Sequence, residues 1–409
     1  MHNRFWSNVA SVVSGSAVAQ AIPIIGSIAL ARVYAPEAFG SYSIWVGLVL
    51  ILAVIATLRL EMALAVIDEG ENRLEAVHLV AVTAVFVGIG MGSCIAALWF
   101  YKLVLSSFHT PMLILALIFA AIMTAISDTW QSWAAADGAY PTLIHIRIAQ
   151  AAAIFATQFG GAFISSTPET LILGHMTGLV IALCIACWRL PMPLPSIQGL
   201  PRRLRSFWSA QSRFPLLALP ADAISSICSQ LPILIVSSRF GTESAGILAL
   251  TIRVLGAPIA LLGRAVLDVF RRYAADAYRR KGNCRSEYIS IFSVLLFCSV
   301  LFVICTFLFA EPIFRIAFGP QWAMSGLLAI WLAPLFALRF IASPLSYVFY
   351  IAGKQNIDLL WQIGLLIVLL CALWLPNSMN SAVIAYSYAY SIMYLIYLGL
   401  SYRSSKGIK

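Results

Sequence analysis

The sequence predicts an all-α, polytopic membrane protein with about twelve transmembrane helices in two pseudo-symmetric six-helix bundles. Three observations predict it. The first is composition: of 409 residues, 61% are hydrophobic and 10% charged, and mean hydropathy is +0.92. Soluble globular domains run about 45–50% apolar and about 25% charged, so this chain carries more apolar surface than an aqueous fold can hide. A soluble enzyme or a secreted domain is excluded.

The second observation is the spacing of the apolar runs. A helix crosses the hydrocarbon core with roughly 20 apolar residues. Cutting the chain at its charged, Pro and Gly clusters leaves runs near 9–33, 38–60, 76–100, 112–134, 142–164, 170–189, 214–238, 244–269, 288–310, 323–350, 357–375 and 380–402. An even number of spans puts both termini on one side. The start of the first run imitates a signal peptide, with Arg4 before it and Ala17-Val18-Ala19 as a cleavage-like site. Ser11, Ser14, Gly15 and Ser16 make a poor apolar centre, and hydrophobicity continues to Val33, so the run reads as a retained span.

The third observation is the charge asymmetry. With the termini inside, nineteen Lys and Arg fall on the inner side, only Arg32, Lys102, Arg239 and Arg315 on the outer side, and Arg253, Arg264 and Arg339 within spans. That bias places both termini in the cytoplasm. It also accounts for most of the formal charge of +10 without nucleic acid. The densest basic stretches, Arg202–Arg213 and Arg271–Arg285, become cytoplasmic segments beside anionic lipid.

Residues 191–208 form the longest Pro-rich polar interruption and divide the chain into an N-terminal bundle (1–190), a cytoplasmic linker (191–213) and a C-terminal bundle (214–409). An internal echo supports the division. Glu37 and Gly40 recur as Glu243 and Gly246 at a constant offset of 206, with Gln20, Pro23 and Arg32 echoed by Gln230, Pro232 and Arg239. Six spans per copy make the repeats parallel. Pro36-Glu37 and Thr242-Glu243 are matching helix starts, each placing a carboxylate at a positive helix end.

No catalytic or metal-binding motif is present. There is no G-x-x-x-x-G-K-[ST] and no H-E-x-x-H. The Gly88-x-Gly90-x-Gly92 pattern lies in an apolar run and reads as close helix packing. The eight cysteines are scattered and suggest no disulfide framework, and Cys184-x-x-Cys187 has no second pair to complete a zinc site. No catalytic residue, metal ligand or cofactor is expected beyond a coupling proton or sodium ion.

What stands out is charge at membrane depth: Asp128, Asp222, Arg253, Arg264 and Arg339, with Arg147 near an inner end. Such residues cost several kcal/mol unless they face protein or water, and by default mark a pathway. Four arginines against two aspartates predict a positive cavity that favours an anion. The guanidinium fork matches phosphate oxygens in two-point contacts. Arg253, Arg339 and Arg147 are therefore the candidate headgroup ligands, with Gln20 and Gln230 as candidate partners of sugar hydroxyls and Asp128 and Asp222 as candidate ion-coupling groups. The plain alternative is Arg–Asp pairs that orient helices and carry nothing.

The stretch SGSAVAQAIPIIGSIALARVYAPEAFGSYSIW followed by ATLRLEMALAV, and RFPLLALPADAISSICSQLPILIVSSRFG with SAGILALTIRVLGAPIALLGRAVLDVF, resemble the two half-starts of the bacterial oligosaccharide flippases of polysaccharide biosynthesis, the O-antigen and exopolysaccharide translocases. The resemblance runs in order over nearly the whole chain. It implies a MATE-like pair of six-helix bundles with alternating access, in the superfamily that holds drug exporters and the peptidoglycan-precursor flippase. It also implies a bacterial inner membrane and an undecaprenyl-diphosphate-linked oligosaccharide moved from the cytoplasmic to the periplasmic leaflet. Polysaccharide polymerase and glycosyltransferases are its implied partners. Members share no catalytic signature, so only a basic cavity transfers, at Arg253 and Arg339 by position. The rival readings are a cation-coupled drug antiporter, which calls for an acidic cavity, and a membrane polymerase or ligase, which calls for a larger outer loop than any here.

Overall fold

The computed structural model describes residues 21–100, 111–190 and 198–407, and among them every regular element is helical. Ten helices are long and apolar enough to cross a membrane. The shorter apolar helix α1 (Ala21–Val33) and α5 (Tyr140–Ala162), 23 residues with more polar positions, take the places of the first and fifth expected spans. The protein is a multi-pass, all-α membrane protein.

The helix boundaries follow local chemistry. α2 (Pro36–Ala56) starts on Pro36 with Glu37 in its first turn, where a fixed φ and a carboxylate suit the exposed N–H groups. α9 (Thr242–Lys281) starts where its echo of Pro36 at the offset of 206 places it, with Gly241 as N-cap at φ 91° and Thr242 the first helical residue. It runs for 40 residues, about 60 Å at ~1.5 Å per residue, twice the hydrocarbon core. Its basic end, Arg271–Lys281, therefore continues beyond the bilayer before Gly282 stops it in the left-handed region at φ 69°. α14 (Met379–Ser405) opens with a reciprocal capping box between Ser378 and Ser381.

Contacts divide the chain into two compact units. The first holds Met1–Pro23 and Ile44–Gln230, the second Ile24–Ser43 and Leu231–Lys409.

In the first unit, α3 (Glu71–Phe100), α4 (Pro111–Ala136), α5 and α6 (Pro168–Arg189) enclose a core of Leu64, Val77, Trp130, Trp133, Ile146 and Ala182. α5 and α6 approach closely because Gly174 and Gly178 sit beneath Gln158 and Ile154, and the buried Gln158 amide donates to the Leu171 carbonyl at 2.8 Å. Arg73, 6% exposed, ties the α3 start to the loop after α4 by donating to the Ile67 and Ala136 carbonyls and pairing with Asp137. The short helix α7 (Leu200–Ala210) is pinned to α3 by an Arg203–Glu75 ion pair at 2.7 Å and a Trp208 indole bond to Thr83. Most of α8 (Leu219–Phe240) completes the unit.

In the second unit, α11 (Ala323–Leu345) is the central helix, packed on α9, α10 (Arg285–Ile313) and α14. Fourteen of its residues are buried, whereas α10 turns Phe297, Val300, Ile304 and Phe307 outward, as lipid-facing side chains do. A four-residue helix, α12 (Val348–Ile351), and α13 (Gln355–Trp374) close the bundle against α14.

Gly178 tests the α5–α6 seam. A side chain there overlaps Ile154 and the Gln150 carbonyl, so Gly178→Val should overpack the pair by about 1–3 kcal/mol. A clear drop in melting temperature in detergent is expected, with no comparable drop for Gly90→Val, whose added Cβ meets open space.

Candidate functional site

The first unit concentrates charge where α2 ends. After Ala56 the chain leaves the helix through Leu58 and Arg59, both at positive φ (50° and 57°), and enters a 3-10 turn, Leu60–Ala65. Two consecutive non-glycine residues in the left-handed region cost of order 1–2 kcal/mol each. The reversal is held by the Arg59 N–H donating to the Thr57 hydroxyl at 3.2 Å and by Leu60, Ala63 and Leu64, which are fully buried.

The strained turn aims the Arg59 guanidinium at two carboxylates. Its Nε donates to Asp222 Oδ2 of α8 at 2.6 Å and its Nη1 to Glu61 Oε1 at 2.8 Å. The guanidinium therefore bridges two carboxylates. Glu61 is only 4% exposed, and its second oxygen has no hydrogen-bond partner among the described residues. Asp128 of α4 is exposed on its helix and interacts electrostatically with Glu61, Arg59 and Arg147. Arg147 of α5 donates from Nε to Gln131 at 2.9 Å. Gln230, at the end of this unit, packs its amide over Gly47 of α2 and donates to Ser229.

These contacts correct the charge balance expected from four arginines and two aspartates. In the first unit two arginines, Arg59 and Arg147, stand with three carboxylates, Glu61, Asp128 and Asp222. Asp222 is not a lone intramembrane charge; it is paired. Arg59 and Glu61 lie at the end of the apolar run near 38–60, and the reversal that folds them back lies in backbone dihedrals that hydropathy does not record. Of the other expected groups, Gln20 lies outside the described residues, as does the side chain of Arg264.

The second unit holds its arginines differently. Arg253 of α9 places its guanidinium carbon 5.8 Å above the ring of Phe39, a cation–π contact. Arg339 of α11 lies among Tyr394, Tyr390 and Tyr386 of α14. The two helices are keyed there by the Ser387 hydroxyl donating to the Trp331 carbonyl at 2.6 Å, and Tyr390 stacks on Tyr394 with centroids 4.9 Å apart. Neither Arg253 nor Arg339 forms a salt bridge among the described residues. The one acidic side chain of α13, Asp358, accepts from Tyr397 and from Gln362 instead. The i, i+4 spacing of Tyr386, Tyr390 and Tyr394 was a readable signal for this arginine environment. Arg339 stands out in the sequence as a charge in an apolar run, whereas the tyrosines blend into an apolar helix.

Arrangement and charge give each unit a distinct capacity. In the first, one carboxylate oxygen, Glu61 Oε2, stands without a hydrogen-bond partner among the described residues. The second can bind an anion on guanidinium groups whose present neighbours are rings and phenols.

The turn at Arg59 separates strain from charge. Arg59→Gly removes the ion pairs but accepts φ 57° freely, whereas Arg59→Ala removes the same pairs and keeps the strain. Arg59→Gly should therefore be the more stable of the two by about 1 kcal/mol, read as the difference between their unfolding transitions in detergent.

A family model described as polysaccharide biosynthesis protein matches residues 29–326. No curated protein matches the chain in sequence. Among solved structures, an inward-facing multidrug resistance MATE family transporter of the MOP superfamily is similar at TM-score 0.70 and 12% identity, covering 93% of both chains. The lipid II flippase MurJ in an inward closed conformation is similar at TM-score 0.70 and 14% identity, covering 96% of this chain and 87% of that one. A MOP superfamily transporter from Pyrococcus furiosus, described as having a binding pocket of reverse polarity, is similar at TM-score 0.57 and 12% identity, covering 95% and 92%. At these identities the structural likeness establishes the fold, and the sequence model establishes the family: the chain belongs to the polysaccharide biosynthesis proteins and has the fold of the MOP superfamily transporters.

Proposed function

We propose that the protein is a flippase that moves an oligosaccharide linked to undecaprenyl diphosphate from the cytoplasmic to the periplasmic leaflet of a bacterial inner membrane, for O-antigen or exopolysaccharide assembly. Both termini lie in the cytoplasm in this reading. Membership of a polysaccharide biosynthesis family and a fold shared with the lipid II flippase support it. The observation that carries it is the pair of arginines at membrane depth, Arg253 and Arg339, held by aromatic rings and phenols and, among the described residues, without a carboxylate in ion-pair contact.

The physics favours a transporter over an enzyme. Taking a charged, sugar-bearing headgroup through hydrocarbon unaided costs tens of kcal/mol, while the lipid tail never leaves the bilayer. Charge-assisted bonds from Arg253 and Arg339 replace part of the diphosphate's hydration. Gln20 and Gln230 remain the amides offered to sugar hydroxyls. A bound proton or sodium ion at Asp128, beside the half-satisfied Glu61, changes the charge of the first unit and resets the cycle. Polymerase and glycosyltransferases act on the same lipid before and after it.

One finding favours a second reading. The three carboxylates around Arg59 and Arg147 are the acidic environment that a drug–cation antiporter needs, and the multidrug transporter shares the fold.

Each arginine forms charge-assisted bonds of about 1.5–3 kcal/mol with phosphate, so Arg253→Ala and Arg339→Ala should each lower transport roughly 10- to 100-fold. Complementation of a flippase-null strain, with protein levels measured beside it, checks this. Full complementation by both variants overturns the assignment, and export of cationic dyes by the unaltered chain without complementation selects the antiporter. Asp128→Asn should lose the dependence of transport on an imposed cation gradient while retaining binding of farnesyl diphosphate to detergent-solubilised protein.

A further inference from the structure

One end of the second unit, the outer end in the orientation proposed above, is joined by contacts of an unusual kind. The last turn of α1 is tied to the segment 314–322 by four hydrogen bonds, all to backbone carbonyls. Arg32 donates from Nε to Ala317 at 2.8 Å and from Nη2 to Ile316, and the Ala31 carbonyl accepts from the buried Trp322 indole at 2.7 Å and from Gln321 at 3.1 Å. Ile316 and Ala317 belong to the π-helical turn Phe314–Phe318. Carbonyls at a helix end lack intrahelical partners and carry the negative end of the helix dipole, so a guanidinium suits them. Arg32 is exposed, and water can take its place when the turn moves away.

Beside this tie the first turns of α2 and α9 touch through Gly40 and Gly246. A Cβ on Gly40 would overlap the Thr242 carbonyl, and a Cβ on Gly246 would overlap the Pro36 carbonyl. The contact is reciprocal between positions 206 residues apart, the offset of the sequence echo. The local repeat axis therefore passes between the two glycines, and only glycine at both lets the helix starts close this far.

A third set of contacts leads from this end to the proposed binding site. Trp322 is fully buried, Phe39 meets it edge-to-face with centroids 5.5 Å apart, and the Arg253 guanidinium sits over the Phe39 ring. Phe39 precedes Gly40. The ring held by Arg253 thus belongs to the same helical turn that closes on Gly246.

We propose that this end of the second unit is a latch, shut while Arg253 rests on Phe39 and opened when an anionic diphosphate draws the guanidinium off the ring. The inference rests on the flippase reading for its ligand, though not for its geometry. A diphosphate competes well for Arg253 because a charge-assisted, two-point contact is stronger than a cation–π contact. Loss of that contact frees Phe39 and with it the wedge that keeps Trp322 on the Ala31 carbonyl. The Arg32 bonds, already at the water-exposed rim, then exchange for solvent.

The test uses spin labels on Ala35→Cys and Arg315→Cys, two exposed positions flanking the latch, in full-length protein whose eight native cysteines are replaced by serine or alanine. Pulsed dipolar distances are recorded with and without farnesyl diphosphate. One short distance is expected without ligand, and farnesyl diphosphate should raise the ratio of long to short populations about tenfold. Arg32→Gln and Gly40→Ala should show the long population without ligand; if Gly40→Ala does not fold, Arg32→Gln alone decides. Arg253→Gln should sit at the long distance whether or not farnesyl diphosphate is present. An unchanged short distance in Arg32→Gln, or a ligand response that survives Arg253→Gln, overturns the latch. Complementation separates the two readings. A chain that complements with a fixed short distance keeps the flippase and loses the latch, and one that opens with farnesyl diphosphate but never complements keeps the latch and loses the flippase.

Discussion

Every ionised side chain in this protein answers to one constraint: the surrounding solvent is hydrocarbon, and a charge at depth must find a partner or water. The two units meet it in different ways. The first partners its charges at close range, Arg59 with the carboxylates of Asp222 and Glu61 and Arg147 with the neutral amide of Gln131. The second surrounds its guanidinium groups with rings and phenols, which lower the cost of a cation without cancelling its charge. A paired charge is structural until its partner is titrated. A charge stabilised only by aromatic faces remains available to a stronger ligand. That difference, more than the number of charges, is what distinguishes a site for a small cation from a site for a phosphate.

The architecture was legible in the sequence because lipid imposes it through quantities that composition records. Run length and Pro36-Glu37 mark the helices and their starts, and the structure follows them to within a few residues at most positions. Where it departs, the cause is specific. α9 continues to Lys281 because nothing between Leu267 and Gly282 breaks a helix, so it outlasts its apolar stretch. α5 is less apolar than its neighbours because it presents Gln158 to α6 and Arg147 to α4.

The candidate site was less legible. Arg253, Arg339, Arg147, Asp128 and Asp222 were identifiable as charges at depth, but which of them pair depends on the fold. Asp222 meets Arg59 across 163 positions of sequence, through a turn in which two non-glycine residues adopt positive φ. No periodicity predicts that turn. Its function-linked interpretation runs from the observed strain: a backbone held in a costly conformation beside a half-satisfied carboxylate is retained where it sets a side chain's direction. The tyrosine ladder was within reach of pattern reading, since residues four apart share a helix face. Its meaning required knowing that α11 lies against that face.

The internal repeat acquires physical content at Gly40 and Gly246. Sequence similarity between apolar helices is weak support for duplication, because few residue types suffice to fill a membrane span. A reciprocal steric requirement is stronger, since each glycine is needed by the carbonyl that stands in the other's sequence neighbourhood, and neither could change without the other helix moving. Divergence is then permitted almost everywhere except on the axis. The charge patterns of the two halves differ, one built on ion pairs and the other on aromatic-held arginines, while the helix starts at Pro36 and Thr242 match.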